Sequence, residues 1–282
     1  MDKKKLKAII KVLFSLALLW YVFRHIDYKE SISILKQSNY MYLFLAFIFF
    51  NLSKIVSSIR LNWYFKEIGI LISEKTNLTL YYLGMFYNLF LPGGIGGDGY
   101  KAYLLNKNFK AKMSDILQAL LLDRVTGLIA LIFLAGVLYY FSHFPYFKAL
   151  SILLVVCVYP IFYFFNKIYG KFLKYYKQTY TLGLAVQILQ VVSAYFIIKA
   201  LPDSLPTIDI LVLFLISSVV AILPISIGGV GVREFTFLYG AKLLGFNASA
   251  GVTFSLLFFL ITMFSSLIGI IFMHKKFFTK GG

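Results

Sequence analysis

Residues 88–101 read NLFLPGGIGGDGYK, an apolar stretch that ends in a proline and five closely spaced glycines. A membrane helix does not continue easily through this break, because proline lacks an amide donor and glycine favours bending. The apolar stretch that leads into the break, 78–92, makes about 22 Å of helix, which is short of the roughly 30 Å hydrocarbon core. We therefore predict a broken, re-entrant hairpin that enters and leaves the membrane on one face.

A second stretch, residues 223–234, reads LPISIGGVGVRE and repeats this pattern. It separates two more short apolar stretches, 208–224 and 232–246. One interpretation is a second re-entrant hairpin, and the other is a pair of ordinary short spans. The choice between these interpretations does not change the predicted membrane side of any other segment.

Six longer apolar stretches are candidates for full spans, since a helix needs roughly 20 residues to cross a bilayer. They are residues 8–23, 41–59, 114–141, 149–166, 180–198 and 249–273. Hydrophobic residues make up 60% of the chain and charged residues only 14%, which favours lipid over water as the solvent. The first stretch follows a basic segment without a small-residue cleavage site, so we interpret it as an uncleaved span.

The formal net charge of +17 follows a topological pattern and does not indicate a nucleic-acid partner. Basic clusters near residues 3–11, 60–75, 101–112, 167–177 and 275–280 alternate with sparsely charged connections at 24–40, 142–148 and 199–209. The positive-inside rule places the clusters in the cytoplasm. We therefore predict that both termini are cytoplasmic.

Counting the crossings predicts an all-α integral membrane protein of two inverted halves, 1–145 and 146–282. Each half contains two spans, a broken hairpin and a third span. Three crossings per half place the second half upside down in the membrane. Inverted repeats with proline- and glycine-interrupted helices in matching positions are typical of transporters with a site near the midplane.

The first break contains groups suited to binding an anion. Backbone amides of Gly94, Gly96 and Gly97, together with Asn88, are candidate ligands, because exposed amides near a helix N-terminus attract negative charge. Asp98 either caps the returning helix or acts as a coupling carboxylate. The dinucleotide-binding pattern in this stretch is rejected, since no strand precedes it, and the chain has no phosphate-binding ATPase motif.

Asp123 and Arg124 lie about ten residues into the third span. Ionisable groups at that depth are costly and are functional candidates by default, although a structural ion pair or a snorkelling arginine is the alternative. Adjacent helical residues point about 100° apart, so we expect each of the two to have its own partner. With Lys101, Arg124 is a predicted ligand of an anionic substrate.

The second break also contains groups suited to binding an anion. Arg233 stands at a helix N-terminus, against its electrostatic preference, and we expect its planar fork to hold a phosphate. Glu234 is predicted to be a coupling or structural charge. The further candidate ligands are Ser226, Gly228, Gly229 and Gly231, and the two helix breaks are assigned to Pro92 and Pro224.

No metal site, cofactor or catalytic cluster is predicted. His25, His143 and His274 are far apart in the topology, and the single cysteine, Cys157, lies within a span.

Taken together, these motifs resemble the lysylphosphatidylglycerol synthase transmembrane-region family, the flippase-like membrane domain also found in multiple peptide resistance factor. The matching elements are Arg60-Leu61-Asn62-Trp63, Asn88 to Asp98, Asp123-Arg124-x-x-Gly127-Leu128, and Leu223-Pro224 to Glu234. The resemblance implies a protein of a prokaryotic cytoplasmic (inner) membrane that moves or handles a lipid headgroup. It implies membrane lipids as partners, either an anionic phospholipid or a polyprenyl-linked substrate.

Two departures from the family pattern stand out. Lys101 occupies a position where the family more often has arginine, and the final span has no arginine or lysine within Val252–Met273. We expect the aminoacyl-transferase domain of the larger relatives to be absent, and therefore expect no lysylphosphatidylglycerol synthesis and no enzyme activity.

Three functions remain open from the sequence. The first is a lipid flippase in which Arg233, Arg124 and Lys101 hold an anionic headgroup. The second is an enzyme or accessory subunit acting on a lipid-linked substrate, with Asp98 and Glu234 as acid and base. The third is a small-solute or ion carrier of the same inverted architecture.

Overall fold

The computed structural model describes residues 13, 16–90, 96–109, 111–144, 146–222, 229–273 and 277, without the side chains of Phe90 and Ile222. Within these residues the regular structure is entirely helical, which confirms the predicted all-α class. Residues 16–24 are helical. The helices that follow are α1 (Tyr28–Gln37), α2 (Tyr40–Glu67), α3 (Glu74–Phe90), α4 (Gly96–Asn108), α5 (Met113–Phe141), α6 (Lys148–Ile168), α7 (Tyr176–Ala200), α8 (Thr207–Ile222), α9 (Val232–Leu244) and α10 (Ala248–Leu267).

Five helices are long and apolar enough to cross a membrane: α2, α5, α6, α7 and α10 with its 3₁₀ extension to Phe272. They coincide with the second to sixth predicted spans. Most of the first predicted span, 8–23, lies outside the described residues, so a total of six spans stays a prediction.

The connection 24–40 differs from the prediction, because it contains a helix where a loop was expected. The Asp27 carboxylate caps α1 by accepting from the amides of Lys29 and Glu30 at 2.8 and 3.2 Å. Glu30 in the first turn and Lys36 in the last complement the helix dipole. These end signals were present in the sequence but lie within a polar segment that a search for spans passes over.

Helix α2 extends well beyond the predicted span and packs along α7. The contact is close because small residues face it, as where the Ser193 hydroxyl donates to the Ala46 carbonyl at 2.8 Å. The predicted end of the span, Arg60, therefore lies inside a helix of 28 residues. Aromatic side chains of α2, α8 and α10 form the main apolar core beside it, among them Phe50, Phe214 and Phe258.

Helices α3 and α4 run antiparallel on either side of the first break. They touch at Gly84 and Gly97, where a Cβ on Gly97 would overlap the Gly84 carbonyl oxygen. With 17 and 13 residues, the two helices are about 26 and 20 Å long, so neither spans a bilayer core of roughly 30 Å. Pro92 and Gly94 lie outside the described residues.

Helices α8 and α9 form a second antiparallel pair, with Gly240 packed against Leu213. Gly229 and Gly231 lead into α9 with φ angles of 82° and 84°, a backbone conformation that favours glycine. Three of the predicted elements of this break, Pro224, Ser226 and Gly228, lie outside the described residues.

The predicted connections gather at two ends of the molecule. At one end, the Asn247 amide donates to the carboxylates of Glu30 and Asp203, at 2.8 and 3.0 Å. The His143 ring lies 2.8 Å from Asp209 at the start of α8. At the other end, Glu67 accepts from the Tyr175 amide, and Lys171 pairs with Asp115. The start of α8 and the end of α9 therefore both lie at the first of these two ends.

Candidate functional site

A polar cavity of about 150 Å³ lies where the α3–α4 pair meets α5. Five predicted or motif residues line it together with three that were not predicted. The lining residues are Tyr81, Met85, Asn88, Asp98, Lys101, Leu120, Asp123 and Arg124. The cavity joins residues that are up to 43 positions apart in the sequence because the hairpin folds back against α5.

Asp98 is the centre of the ion pairs in this cavity. Its carboxylate accepts from Arg124 Nε at 2.6 Å and lies 3.3 Å from Lys101 Nζ. Helix α4 already begins at Gly96, so Asp98 stands in its first turn and its described hydrogen bonds go to cations. The pairing fastens the returning helix to α5, since charge-assisted hydrogen bonds are the stronger kind.

Asp123 pairs with a different cation, as the 100° rotation between helical neighbours predicted. Its carboxylate accepts from Arg60 Nε at 2.8 Å, and both side chains are buried. Arg60 was predicted to flank the end of a span, but it lies within helix α2 and is buried, while its cytoplasmic side stays a prediction. Arg60 is 4% exposed, and its Nη1 has no hydrogen-bond partner among the described residues.

Lys101 was likewise assigned to a basic cytoplasmic loop, but the structure buries it to 4% exposure. Its ammonium lies 4.7 Å from the centre of the Tyr81 ring, in addition to its contact with Asp98. Its Cε stands close to Gly84, where any larger side chain would displace it. The lysine therefore depends on the close approach of α3 and α4.

Gly97, one of the described glycines of the first break, packs against the other arm of the hairpin. The Gly97 amide donates to Asn88 Oδ1 at 2.8 Å, which joins the two arms of the hairpin. Gly96 is the first residue of α4. Asn88 and Gly97 are thus hydrogen-bond partners, and Asn88 also lines the cavity.

Arg233 belongs to a second polar region, in the α8–α9 pair. Its Nη1 donates to the Ser218 hydroxyl at 3.0 Å, and its guanidinium carbon lies 5.5 Å from the centre of the Phe258 ring. Gly229 stands beside Arg233 Nε, so the turn into α9 positions the guanidinium.

Glu234 has a structural role in the turn. One carboxylate oxygen accepts from the Gly231 amide at 2.7 Å and the other from the Ser255 hydroxyl at 2.9 Å. The first contact caps α9, and the second ties the hairpin to α10. At 1% exposure, Glu234 has little access to solvent.

Lys54, which was not predicted as a site residue, lies on α2 between these two regions. Its ammonium stands 4.3 Å from the centre of the Phe50 ring, and the charges of Arg60 and Arg233 both act on it. A lysine in the middle of a predicted span is a signal that could have identified it, because such charges are rare and functional. Tyr81 and Ser218, which are uncharged, carried no comparable signal.

The two regions and α2 together concentrate positive charge inside the helical bundle. Five cations and three carboxylates lie in these regions, which leaves a net charge of +2; Arg60 and Lys101 are buried, Lys54 and Arg233 half-buried and Arg124 exposed, and the carboxylates are those of Asp98, Asp123 and Glu234. The break residues 91–95 and 223–228 contain no charged side chain that would alter this balance. The arrangement is therefore suited to an anion.

The described part of the chain contains no group of three or more His, Cys, Asp or Glu side chains that could hold a metal ion. His25 contacts Tyr21 and His143 contacts Asp209, while His274 lies outside the described residues. These two contacts are remote from the cavity.

Comparisons with known proteins identify the family. No curated protein matches the chain. The family described as "Lysylphosphatidylglycerol synthase TM region" matches residues 8–269 of the 282, which includes the cavity, both helical pairs and the span-length helices except the last three residues of the fifth. This is a multi-pass membrane domain. The chain therefore belongs to the lysylphosphatidylglycerol synthase TM region family.

Proposed function

We propose that this protein is a lipid flippase that carries the anionic, phosphate-bearing headgroup of a membrane lipid through the membrane interior. The observation that carries the proposal is the excess of cations inside a bundle of apolar, span-length helices. The name of the family, which refers to a lipid-modifying enzyme, supports a lipid as the substrate. An anionic phospholipid and a polyprenyl-linked lipid both carry the required phosphate.

The energetic argument concerns the headgroup. An ionised group in hydrocarbon is costly unless it is paired, whereas acyl chains remain in lipid throughout the passage. Arg124, whose side chain is 42% exposed, and Lys101 present cations in the cavity, and Asp98 holds both in place. A phosphate that enters this cavity exchanges its hydrating water for hydrogen bonds from guanidinium and ammonium groups.

The architecture supports alternating access. In the proposed inverted repeat of 1–145 and 146–282, α2 of the first half corresponds to α7 of the second. These two helices pack along each other. Each broken helical pair begins and ends near one end of the bundle, which favours two re-entrant hairpins from opposite faces. Rocking of the halves would then expose the headgroup to either leaflet.

The test is lipid movement in liposomes. Purified protein is reconstituted with a trace of fluorescently labelled phosphatidylglycerol, and a membrane-impermeant quencher reports the fraction that reaches the outer leaflet with time. We expect wild type to exceed protein-free liposomes, and Arg124→Ala to be at least tenfold slower. Arg24→Ala is the matched control, because Arg24 is exposed and its guanidinium stacks on Trp20 outside the cavity.

The same liposomes separate the proposal from its rivals. Equal rates for wild type and Arg124→Ala would refute the residue assignment, and no movement by wild type would refute the flippase. Mass spectrometry of the recovered lipid covers the enzymatic alternative, in which the lipid changes mass and does not cross.

A further inference from the structure

Lys54 and Arg233 are cations without a carboxylate partner among the described residues. The ion pairs of those residues join Arg60 to Asp123 and both Lys101 and Arg124 to Asp98, and the remaining pairs lie outside this region. Glu234, the neighbour of Arg233 in sequence, gives its hydrogen bonds to Gly231 and Ser255, although its charge still attracts Arg233.

Geometry brings these two cations to one place. Lys54 stands over the Phe50 ring and Arg233 over the Phe258 ring, and the two rings contact each other edge-on with centres 5.6 Å apart. Both rings are buried. The positive charge of Arg233 repels Lys54, and so does that of Arg60. Aromatic faces attract cations but carry no net charge, so this repulsion is not cancelled.

Lys54 and Arg233 are half-buried beside apolar rings, where uncompensated charge is unfavourable, and an anion placed between the two cations would lower this cost. The Ser218 hydroxyl already holds one arm of the Arg233 guanidinium, which orients its fork. A guanidinium fork and a lysine ammonium are the usual ligands of phosphate oxygens. Unlike the cavity at Asp98, this place has no carboxylate among the described residues that hydrogen-bonds to either cation.

We infer that Lys54, Arg233 and Ser218 form a second anion site, which binds a phosphate group. The inference deepens the proposed function and rests on it only for naming a lipid as the source of the phosphate. Helix α2 then carries a cation at each of the two sites. Arg60 is paired with Asp123 at the edge of the cavity, and Lys54 stands over Phe50, whose ring contacts the Phe258 ring beside Arg233. Six residues separate these cations, which is about 9 Å along the helix.

The experiment measures thermal unfolding of the purified full-length protein in uncharged detergent micelles. Three additions are compared: phosphatidylglycerol, zwitterionic phosphatidylcholine and inorganic phosphate. We expect phosphatidylglycerol to raise the Tm of wild type more than phosphatidylcholine does. Lys54→Met should lose at least two thirds of that difference, and Lys54→Arg should keep it. Without lipid, Lys54→Met should unfold at or above the wild-type Tm, because it removes an uncompensated charge.

Lys199→Met is the matched control. Lys199 also stands over an aromatic ring, that of Tyr195 at 5.5 Å, but it is exposed at the end of α7. It should retain the wild-type response. A full response in Lys54→Met would overturn the inference, and so would a lower Tm of this variant without lipid, since the lysine would then be structural. Lys54→Gln repeats the measurement if the methionine variant does not fold.

The three additions also separate the sources of phosphate. A Lys54-dependent shift with inorganic phosphate alone supports the anion site but overturns the assignment to a lipid. The liposome assay separates this inference from the proposed function. If wild type moves no lipid but shows the Lys54-dependent shift, the anion site stands and translocation fails. If wild type moves lipid and Lys54→Met equals it in both assays, the site fails and translocation stands.

Discussion

Two neighbouring residues, Asp123 and Arg124, serve separate networks because a helix turns their side chains apart. Arg124 faces the cavity with Asp98, and Asp123 faces the interior with Arg60. A carboxylate buried against a guanidinium is costly to remove, since the remaining charge then has no partner. The pair therefore makes α2 and α5 depend on each other beside the cavity.

Replacing Asp123 with asparagine tests this dependence. Arg60 would remain buried without a counter-charge, so we expect Asp123→Asn to lower the free energy of unfolding by about 3–5 kcal/mol. Asp115→Asn is the control, because Asp115 pairs with the exposed Lys171, and such pairs contribute about 0–1 kcal/mol. Denaturant titration in detergent measures both.

A double variant of the same pair tests whether the unpaired Arg60 causes the loss of stability. The double variant Arg60→Met with Asp123→Asn removes the buried cation as well, so it should recover most of the lost stability. If Asp123→Asn unfolds like the Asp115 control, the buried pair does not hold α2 to α5.

At the scale of elements, each helical pair packs closely at a glycine, against backbone in the first pair and against a side chain in the second. Gly97 meets the Gly84 backbone in the first pair, and Gly240 meets Leu213 in the second. Such contacts let short helices pack at close range where lipid provides no hydrophobic drive. In the first pair, the contact also sets the position of Lys101 and the Asn88 hydrogen bond.

Alanine substitutions within α4 test this contact directly. A Cβ on Gly97 overlaps the Gly84 carbonyl, so Gly97→Ala must separate α3 from α4 and should abolish lipid movement. Gly99 lies two residues away in open space, and Gly99→Ala should be neutral or stabilising by about 0.5–1 kcal/mol, as glycine disfavours helix interiors. Liposome transport and thermal unfolding are measured on both variants. Equal behaviour of the two would show that the close approach is not required.

The sequence predicted helical elements better than it predicted the depth of charges. Apolar length alone located α5, α6, α7 and α10 within a few residues of their observed bounds, because a bilayer fixes how long a span must be. Helix α1 was missed, since it is short and polar and depends on capping by Asp27.

Charges near the ends of spans were harder to interpret. The positive-inside rule counts Arg60 and Lys101 as flanking residues, because it depends on sequence position and not on burial. Arg60 is buried against Asp123, which lies 63 residues away in the sequence. Lys101 is buried against Tyr81 and Gly84 of α3, in addition to its contact with Asp98 on its own helix. The relation of Lys54 to Arg233 also joins distant segments, so only the folded chain reveals it.

At the scale of the whole molecule, the contacts between connections divide the chain into two ends. Glu30, Asp203, Asn247, His143 and Asp209 meet at one end. Glu67 and Tyr175, and Asp115 and Lys171, meet in pairs at the other. The same division separates the sparsely charged connections from three of the basic clusters. This agreement makes the orientation of the chain testable with two positions.

Single cysteines at Lys107 and Ser204 should therefore label from opposite sides of the membrane. Both residues are exposed, and Cys157, the only native cysteine, is first replaced by alanine. The basic clusters place Lys107 in the cytoplasm and Ser204 outside, so a membrane-impermeant maleimide added to intact cells should modify only Ser204→Cys. Lysed cells provide the control, in which both variants react. Labelling of Lys107→Cys alone in intact cells would mean that the chain has the reverse orientation, with the Asp98 cavity beside the outer leaflet. Labelling of both variants in intact cells would mean that the two ends do not lie on opposite sides of the membrane. The two hairpins would then not enter from opposite faces.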